Sequence, residues 1–293
     1  MDTVANTDFT RTLNRLVELS IDGYYNPYTE LQWEEALDDE QWWMPASLLT
    51  LYDTKFIDEF DEPQLMKLSK WESIHFYSLN IHGIRELLIE VTKRIHSPGY
   101  EGASEFFHHF IGEENEHMWF FAKFCLKYGS KIYPDKSMKM NVAELESDIQ
   151  TFLVFARILI FEEIVDYFNI RIGKDESLHP VIRQVNNVHH QDESRHVAFG
   201  RQFVAQLHRD LIAAYGHARL TEIEGYLRRY IDASLQSFYN PAVYRDAGIE
   251  DEYRLRSALL KEPGRTRQHE KIMGRTTDFL IKNGILSEEN STL

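Results

Sequence analysis

The chain has 293 residues, of which 43% are hydrophobic and 13% aromatic, so it can fill a sizeable core and is not disordered as a whole. Its formal net charge of −15 argues against binding to nucleic-acid phosphates or to an anionic membrane surface, because both require clusters of Lys and Arg. The single cysteine, Cys125, excludes an intrachain disulfide and a cysteine-based zinc site.

No segment of the sequence suggests export or membrane insertion. The first residues lack an apolar signal core, and the longest apolar stretch, 152–161, is half of the ~20 residues that a membrane helix needs. Together with the low cysteine content, these features lead us to expect a cytoplasmic protein.

The first predicted element is an irregular arm over residues 1–60. This part is rich in Trp, Tyr and acidic residues, as in the run YYNPYTELQWEEALDDEQWWMP, and it contains two prolines. The alternative is a flexible tail. Aromatic side chains between Tyr24 and Trp43 favour an arm that is packed against the rest of the chain.

The remainder of the chain is predicted to be helical. Glycine and proline are sparse and cluster between long apolar segments, as at Ser97-Pro98-Gly99 and at Gly173, and no alternating pattern of strand length occurs. No linker or repeat divides the sequence, so we expect one domain over 1–293. The predicted helices cover 64–96, 102–127, 143–172, 179–208, 219–238 and 265–284.

The motif Glu-x-x-His is the main chemical signal in the sequence. On a helix, residues three apart share a face, so such a pair can chelate one metal ion. It occurs five times, which chance alone permits in a chain with 13 histidines and 47 acids. The pairs are Glu72/His75, Glu105/His108, Glu114/His117, Glu176/His179 and Glu193/His196.

The positions of the helical turns select two of these pairs. If the chain reverses near residues 100 and 177, Glu114 and Glu86 are equidistant from the first turn, and Glu193 and Glu162 from the second. Each carboxylate then lies roughly 21–23 Å from its turn, at 1.5 Å per residue. All four meet in one layer if the two hairpins pack together, and His117 and His196 join them. The other three pairs are assigned to solvated faces or helix ends.

Four carboxylates and two histidines in this arrangement are the ligands of a ferritin-like di-iron site. Four glutamates also balance the charge of two ferrous ions, and oxygen and imidazole ligands suit iron or manganese. We therefore expect an all-α, ferritin-like four-helix di-iron bundle, with extra N- and C-terminal helices and the irregular arm.

Two positions near this ligand set stay open on spacing alone. His189 lies four residues before Glu193 and shares its face, so it is either a third imidazole ligand, or a histidine that supports a ligand or fills the core. Glu163 competes with Glu162, since only one of two adjacent residues can face the centre.

Further acidic residues flank the predicted ligands. Metal-bound histidines usually donate their second N–H to a carboxylate, and Glu113 and Asp192 each precede a ligating Glu. We predict that they hold the histidines, crosswise between the motifs, with Asp166 as a weaker candidate. Arg157, inside an apolar helix, is a candidate for binding a substrate carboxylate, although such an Arg more often pairs with an internal acid.

The predicted ligands and the residues around them resemble those of the p-aminobenzoate N-oxygenase family, of the aureothin-pathway type. The run ESLHPVIRQVNNVHHQDESRHVAFGRQ (176–202) carries the likeness, and its His-x-x-x-Glu-x-x-His pattern is the most specific part. LSKWES (68–73), GEENEH (112–117), FEEIVDYF (161–168) and FYNPAVYRDAGI (238–249) extend it through most of the chain.

The resemblance implies a ligand set, which favours Glu162 over Glu163 and includes His189. Glu86 is the least secure member because the first hairpin is shorter than the family leads us to expect, and Glu90 is its alternative. The implied ligands are Glu86, Glu114, His117, Glu162, His189, Glu193 and His196.

The resemblance also implies an activity. Two iron ions would activate O2 as a peroxo-diferric species and oxygenate a primary amine, either an arylamine or one derived from an amino acid, to the hydroxylamine, nitroso or nitro level. A ferredoxin or reductase would supply electrons, since the sequence has no nucleotide fingerprint and no cysteines for an iron–sulfur cluster. A homodimer is implied as well.

Two other functions fit the same ligand set. One is a di-iron C–H hydroxylase or desaturase, which nothing local in the sequence separates from an N-oxygenase. The other is a non-catalytic iron-binding protein, for which the aromatic arm and the C-terminal helices are surplus.

Overall fold

The computed structural model describes residues 7–33, 36–135 and 145–288. Helices make up most of this part of the chain, and it contains no strand. In chain order the helices are α1 (Thr7–Asp22), α2 (Pro27–Glu30), α3 (Glu62–Thr92), α4 (Ser104–Phe124), α5 (Ser147–Lys174), α6 (Pro180–Tyr215), α7 (His217–Ser237), α8 (Pro241–Asp246), α9 (Glu252–Leu259) and α10 (Pro263–Lys282).

Four long helices form the bundle that the sequence predicts. Helices α3 and α4 are consecutive and pack side by side, as do α5 and α6, and the two hairpins join through contacts of α4 with α6 and of α3 with α5. Residue Gly83 permits the last of these contacts, because a Cβ atom there would lie 2.4 Å from the Phe161 ring. The fold is therefore an all-α, ferritin-like bundle.

Local signals in the sequence set the ends of these helices. Asp61 and Gln64 form a reciprocal capping box at the start of α3, and His179 followed by Pro180 begins α6. Gly99, at φ 89°, lies in the turn between α3 and α4, in a conformation that favours glycine. The predicted helices are thus present, with most ends shifted by four residues or fewer, whereas α6 extends seven residues beyond its predicted end.

The structure refines the predicted arm and adds elements that were not predicted. The arm begins with a regular helix, α1, whose buried residues Phe9, Leu13 and Leu16 recur every three or four positions and face α4 and α6. Only the part after α1 is mostly irregular. Helices α8 and α9 are too short for a periodic pattern to reveal them.

The structure also bears on membrane insertion. Within the described ranges, no helix combines the length and the apolar character that crossing a bilayer requires.

Candidate metal centre

Six ionisable side chains from α4, α5 and α6 converge in the middle of the bundle. Each is at most 4% exposed, although charged and imidazole groups rarely occupy a core without partners. They form two groups that share one glutamate, and within each group the potential ligand atoms lie within 4.8 Å of one another. The first group is His117, His189 and Glu193; the second is Glu114, Glu162, Glu193 and His196.

Helical periodicity brings these side chains to one place. On α6, His189, Glu193 and His196 follow the four- and three-residue steps of a single helix face. Glu114 and His117 do the same on α4, and Glu162 comes from the facing α5. The four residues of the two Glu-x-x-His motifs, together with His189, therefore lie on the inward faces of α4 and α6, as their spacing predicts.

The ligand atoms approach each other closely, and most of them make no hydrogen bond. His196 Nδ1 lies 2.8 Å from a Glu114 carboxylate oxygen, and His189 Nε2 lies 2.9 Å from Glu193. Both carboxylate oxygens of Glu114 and of Glu162 are buried without a hydrogen-bond partner, as is His117 Nδ1. Buried polar atoms of this kind are costly unless a cation or a donor satisfies them, so this donor set fits metal ions.

The electrostatics of the six side chains support this interpretation. Burial beside Glu193 raises the pKa of Glu162 well above its ordinary range. Burial disfavours the charged imidazole of His117, but Asp192 and Glu114 outweigh it and raise its pKa to about 10. Without a metal, these groups must hold protons to balance the buried carboxylates, and metal binding would displace them.

Two carboxylates hold the outer nitrogens of the histidines, crosswise between the helices. His196 Nε2 on α6 donates to Glu113 on α4 at 2.8 Å, and His117 Nε2 on α4 donates to Asp192 on α6 at 2.9 Å. This arrangement leaves the Nδ1 atom of each ring free for a metal. The crosswise contacts are those that the sequence predicts for Glu113 and Asp192.

Arg195 joins both outer carboxylates and was not singled out from the sequence. Its guanidinium donates to Glu113 at 2.7 Å and to Asp192, and it also donates to Ser20 at the end of α1. The signal was available, because Arg195 follows Asp192 by one helical step of three residues. Arg195 thus connects the outer carboxylates to the N-terminal helix.

These outer groups change the charge balance expected from the sequence. Only three ligand carboxylates are present, instead of four. Glu113 and Asp192 add two negative charges, and Arg195 cancels one of them. With every carboxylate ionised and every imidazole neutral, as metal binding requires, the whole cluster would carry four negative charges, which still equals the charge of two divalent ions.

The expectation that Glu86 joins this layer is wrong. Its side chain is 58% exposed and lies next to Arg85 on the outer surface of α3. The alternative, Glu90, pairs with Lys93 and Arg94 one turn further on. Neither residue is part of the cluster, so α3 supplies no carboxylate to it.

The other acidic candidates occupy different surroundings. Glu163 faces away from the cluster, where Arg201 donates to it at 2.7 and 2.8 Å and Thr276 at 3.0 Å. Asp166 binds His190, which is not one of the clustered histidines, so its predicted support of a ligand is not seen. Glu162 is the member of the adjacent pair that the structure turns inward.

Arg157 packs against α7 instead of the cluster. Its guanidinium lies 5.0 Å from the Tyr230 ring centroid and 3.4 Å from the Tyr226 hydroxyl. The physical reason is rotation about α5, because the five residues from Arg157 to Glu162 turn the helix by about 140° beyond a full turn. The predicted salt bridge between Arg157 and a substrate carboxylate stays a prediction.

Asn169 contacts His189, and the sequence did not predict this contact. Its side-chain amide lies 2.5 Å from His189 Nδ1, while His189 Nε2 faces Glu193. Asn169 is seven residues after Glu162 and so shares its face of α5, which was the available signal. An amide at this position orients the His189 ring with Nε2 toward the cluster.

Aromatic rings pack against all three histidines of the centre. The Phe110 ring lies 4.3 Å from the His196 ring, and Phe121 lies 4.9 Å from His189, measured between centroids. Phe120 is 5.5 Å from His117. Such surroundings exclude water and strengthen electrostatic interactions within the site.

We predict that the outer carboxylates tune metal affinity. Glu113→Gln and Asp192→Asn keep the side-chain shape but remove the charge that makes the bound histidine a stronger ligand, so each is expected to weaken metal binding about 10–100-fold. Calorimetric titration of the metal-free protein measures this. Asp166→Asn is the matched control and should leave affinity unchanged; an equal loss in all three variants would contradict the assignment.

One of the remaining Glu-x-x-His pairs, Glu72/His75, is buried, whereas the sequence predicted a solvated face or a helix end. Glu72 is only 7% exposed, accepts from the Thr50 backbone N–H at 3.0 Å and also accepts from the Thr50 hydroxyl. His75 Nε2 contacts the Ser237 carbonyl at 2.9 Å. Burial raises the pKa of Glu72 from 4.5 to about 7, although Thr50 and Arg265 oppose the shift.

This shift predicts a pH dependence of stability. Because the folded-state pKa lies above the unfolded one, the contribution of Glu72 is present below pH ~4.5 and is lost as pH rises to about 7, a change of about 3 kcal/mol. Glu72→Gln should therefore gain stability relative to wild type between pH 5 and pH 8 in urea unfolding. The exposed Glu105→Gln serves as control; a constant difference for Glu72→Gln across this range would refute the prediction.

Two mycobacterial proteins are similar to this chain over most of its length. They are the uncharacterized proteins Rv0885 of Mycobacterium tuberculosis (strain ATCC 25618 / H37Rv) and Mb0909 of Mycobacterium bovis (strain ATCC BAA-935 / AF2122/97). Each is 22% identical over 280 residues, which cover 89% of this chain and 77% of the relative.

Solved structures with a similar fold include two single-residue variants of an R2-like ligand-binding oxidase with aerobically reconstituted Mn/Fe cofactor. Their TM-scores are 0.48 and 0.46, and their sequence identities are 17% and 15%. Both alignments cover 92% of this chain, and they cover 95% and 93% of the respective oxidase chains.

The sequence profile of the family described as P-aminobenzoate N-oxygenase AurF matches residues 6–284. The chain therefore belongs to the p-aminobenzoate N-oxygenase family.

Proposed function

We propose that this protein is an O2-dependent di-iron N-oxygenase that acts on a primary amine. The observation that carries the proposal is the set of six buried ligands in two overlapping groups, most of whose inward atoms lack hydrogen bonds. Membership of the p-aminobenzoate N-oxygenase family supports an oxygenase-type activity and favours nitrogen as the atom that is oxidised.

The protein's own residues would hold the metals and keep the site dry. Glu193 belongs to both groups and would be shared by them, while Glu114, Glu162 and the three imidazoles would supply the other ligands. Glu113 and Asp192 fix the ring orientation of His196 and His117 through their Nε2–H groups. When bound, the two irons would supply the redox chemistry that activates O2, which no amino-acid side chain provides.

The overall reaction defines what the protein must receive. In each oxygenation one atom of O2 is inserted into an N–H bond of the amine and the other leaves as water. The balance requires two electrons and two protons. An external donor, such as a ferredoxin or a reductase, would deliver the electrons, and the amine would be an arylamine or an amino-acid-derived amine.

The test combines metal analysis with turnover. The purified protein is loaded anaerobically with Fe(II), its iron is counted, and O2 uptake is followed with a chemical reductant and a panel of aryl and alkyl amines. We expect about two irons per chain and amine-dependent O2 uptake that yields the hydroxylamine or a more oxidised product. His189→Ala should abolish amine-dependent uptake.

Other outcomes identify the competing functions. Oxidation at carbon with the nitrogen unchanged would indicate a hydroxylase or desaturase. Iron uptake and oxidation without any response to amines would indicate a non-catalytic iron-binding protein. A chain that binds no metal would refute the proposal entirely.

A further inference from the structure

Helix α3 has a defined register against the metal centre. The Tyr77 ring stacks on Phe121 of α4 with centroids 5.0 Å apart, and its hydroxyl accepts from Asn186 of α6 at 2.7 Å. Because α3 and α4 run antiparallel, seven residues along α3 from Tyr77 correspond to seven residues back along α4 from Phe121. Ile84 therefore lies at the level of Glu114, and Ile81, next to Asn80, lies at the level of His117.

A second contact places the same part of α3 at the level of α5's ligand. A Cβ atom on Gly83 would meet the ring of Phe161, which directly precedes Glu162. Positions 83 and 84 thus lie beside both neighbouring ligand helices. This is the point at which a four-helix di-iron site takes a carboxylate from its remaining helix.

The inward face of α3 offers no carboxylate at this level. The face follows the steps of three and four residues from Tyr77, and its members are almost fully buried. Ile84 is 2% exposed, and the nearest oxygen donor on the face is the amide of Asn80, whose Oδ1 makes no hydrogen bond. The buried residues of this face are Tyr77, Asn80, Ile81 and Ile84.

The two ligand groups consequently differ in chemistry. His117 and His189 with the shared Glu193 form a set of two imidazoles and one carboxylate, with Glu114 3.6 Å from His117 Nδ1. The other group combines one imidazole with three carboxylates. Oxygen-rich sets favour hard ions such as Mn²⁺, whereas two imidazoles and one carboxylate bind Fe(II) and leave coordination positions open.

We infer that the two metal positions are unequal: the carboxylate-rich position fills first, and the two-imidazole position binds more weakly and keeps an open side toward Asn80 and Ile81. This inference rests on the proposed di-metal centre. It assigns the position that O2 and the amine reach without displacing a protein ligand, and it makes Asn80 a determinant of metal affinity.

The test is a metal titration of the purified, metal-free protein. Mn²⁺ binding is followed by the loss of the free-ion signal in electron paramagnetic resonance, and Fe(II) binding by anaerobic calorimetry. We expect two steps whose dissociation constants differ at least about tenfold. His117→Ala should remove only the weaker step, and Glu162→Gln should weaken mainly the tighter one.

Asn80→Asp tests the missing carboxylate directly. It should strengthen the weaker step about tenfold or more and bring the two steps together, because it restores the fourth carboxylate beside the two-imidazole position. Leu87→Asp is the matched control: it adds the same charge at a buried position two turns away on α3, and it should leave the weaker step unchanged. If Asn80→Asp does not fold, the His117→Ala and Glu162→Gln titrations decide alone.

The failures of the two proposals are distinguishable. Two ions bound with equal affinity, or both steps weakened alike by His117→Ala and Glu162→Gln, would overturn the inequality and leave the di-metal centre intact. No effect of a folded Asn80→Asp would also overturn it. A protein that binds neither Mn²⁺ nor Fe(II) would refute the metal centre itself.

Discussion

Glu193→Gln is expected to abolish binding of both metal ions, with affinity reduced by more than about a hundredfold, and with it all turnover. Glu193 belongs to both ligand groups, is 1% exposed and lies 2.9 Å from His189. Even the loss of an outer carboxylate costs 10–100-fold in affinity, so loss of the shared ligand must cost more. Metal content per chain after gel filtration measures the effect.

Glu86→Gln is the matched control for this substitution. It makes the same chemical change at the position where the sequence alone predicts a ligand, but the structure places that side chain on the surface. We expect metal content and thermal stability of Glu86→Gln to equal those of the wild type. If Glu86→Gln loses metal and Glu193→Gln does not, the metal centre described here is wrong.

The largest effect on folding is expected from Gly264→Ala at the start of α10. A Cβ atom at this position would lie 1.6 Å from the carbonyl oxygen of Asp53, which is impossible without moving the backbone. Arg265 next to it donates to the carbonyls of Leu49 and Tyr52, so the helix start and this segment form one unit. We expect a loss of about 3–4 kcal/mol in the free energy of unfolding, measured in urea.

Gly274→Ala in the same helix should have the opposite sign. Nothing lies within 4 Å of the Cβ position of Gly274, so the added methyl group meets open space. Replacing glycine by alanine inside a helix then stabilises the protein by about 0.5–1 kcal/mol. Equal effects at Gly264 and Gly274 would show that backbone propensity, and not the contact with Asp53, governs both substitutions.

The sequence by itself determined the features that depend on local geometry. Sparse glycine and proline predicted the long helices, and steps of three and four residues placed His189, Glu193 and His196 on one face of α6. The adjacent acids Glu113 and Asp192 were identified for the same reason. A helix fixes the relative directions of neighbouring side chains whatever its surroundings, so these relations are readable before the fold is known.

Relations between helices were decided only by the tertiary structure. The sequence placed Glu86 opposite Glu114 by assuming a turn near residue 100, whereas the register of Tyr77 on Phe121 places Ile84 there. An error of two residues along a helix rotates a side chain by about 200°, which turned a predicted ligand into an exposed residue.

The contacts of Arg195 and Asn169 likewise depend on how α1, α4, α5 and α6 pack together. Local periodicity says which side chains share a face of one helix, but it does not say which residue of a neighbouring helix that face meets. Packing of the hydrophobic core fixes the distances and rotations between helices, and therefore which residues complete the metal centre.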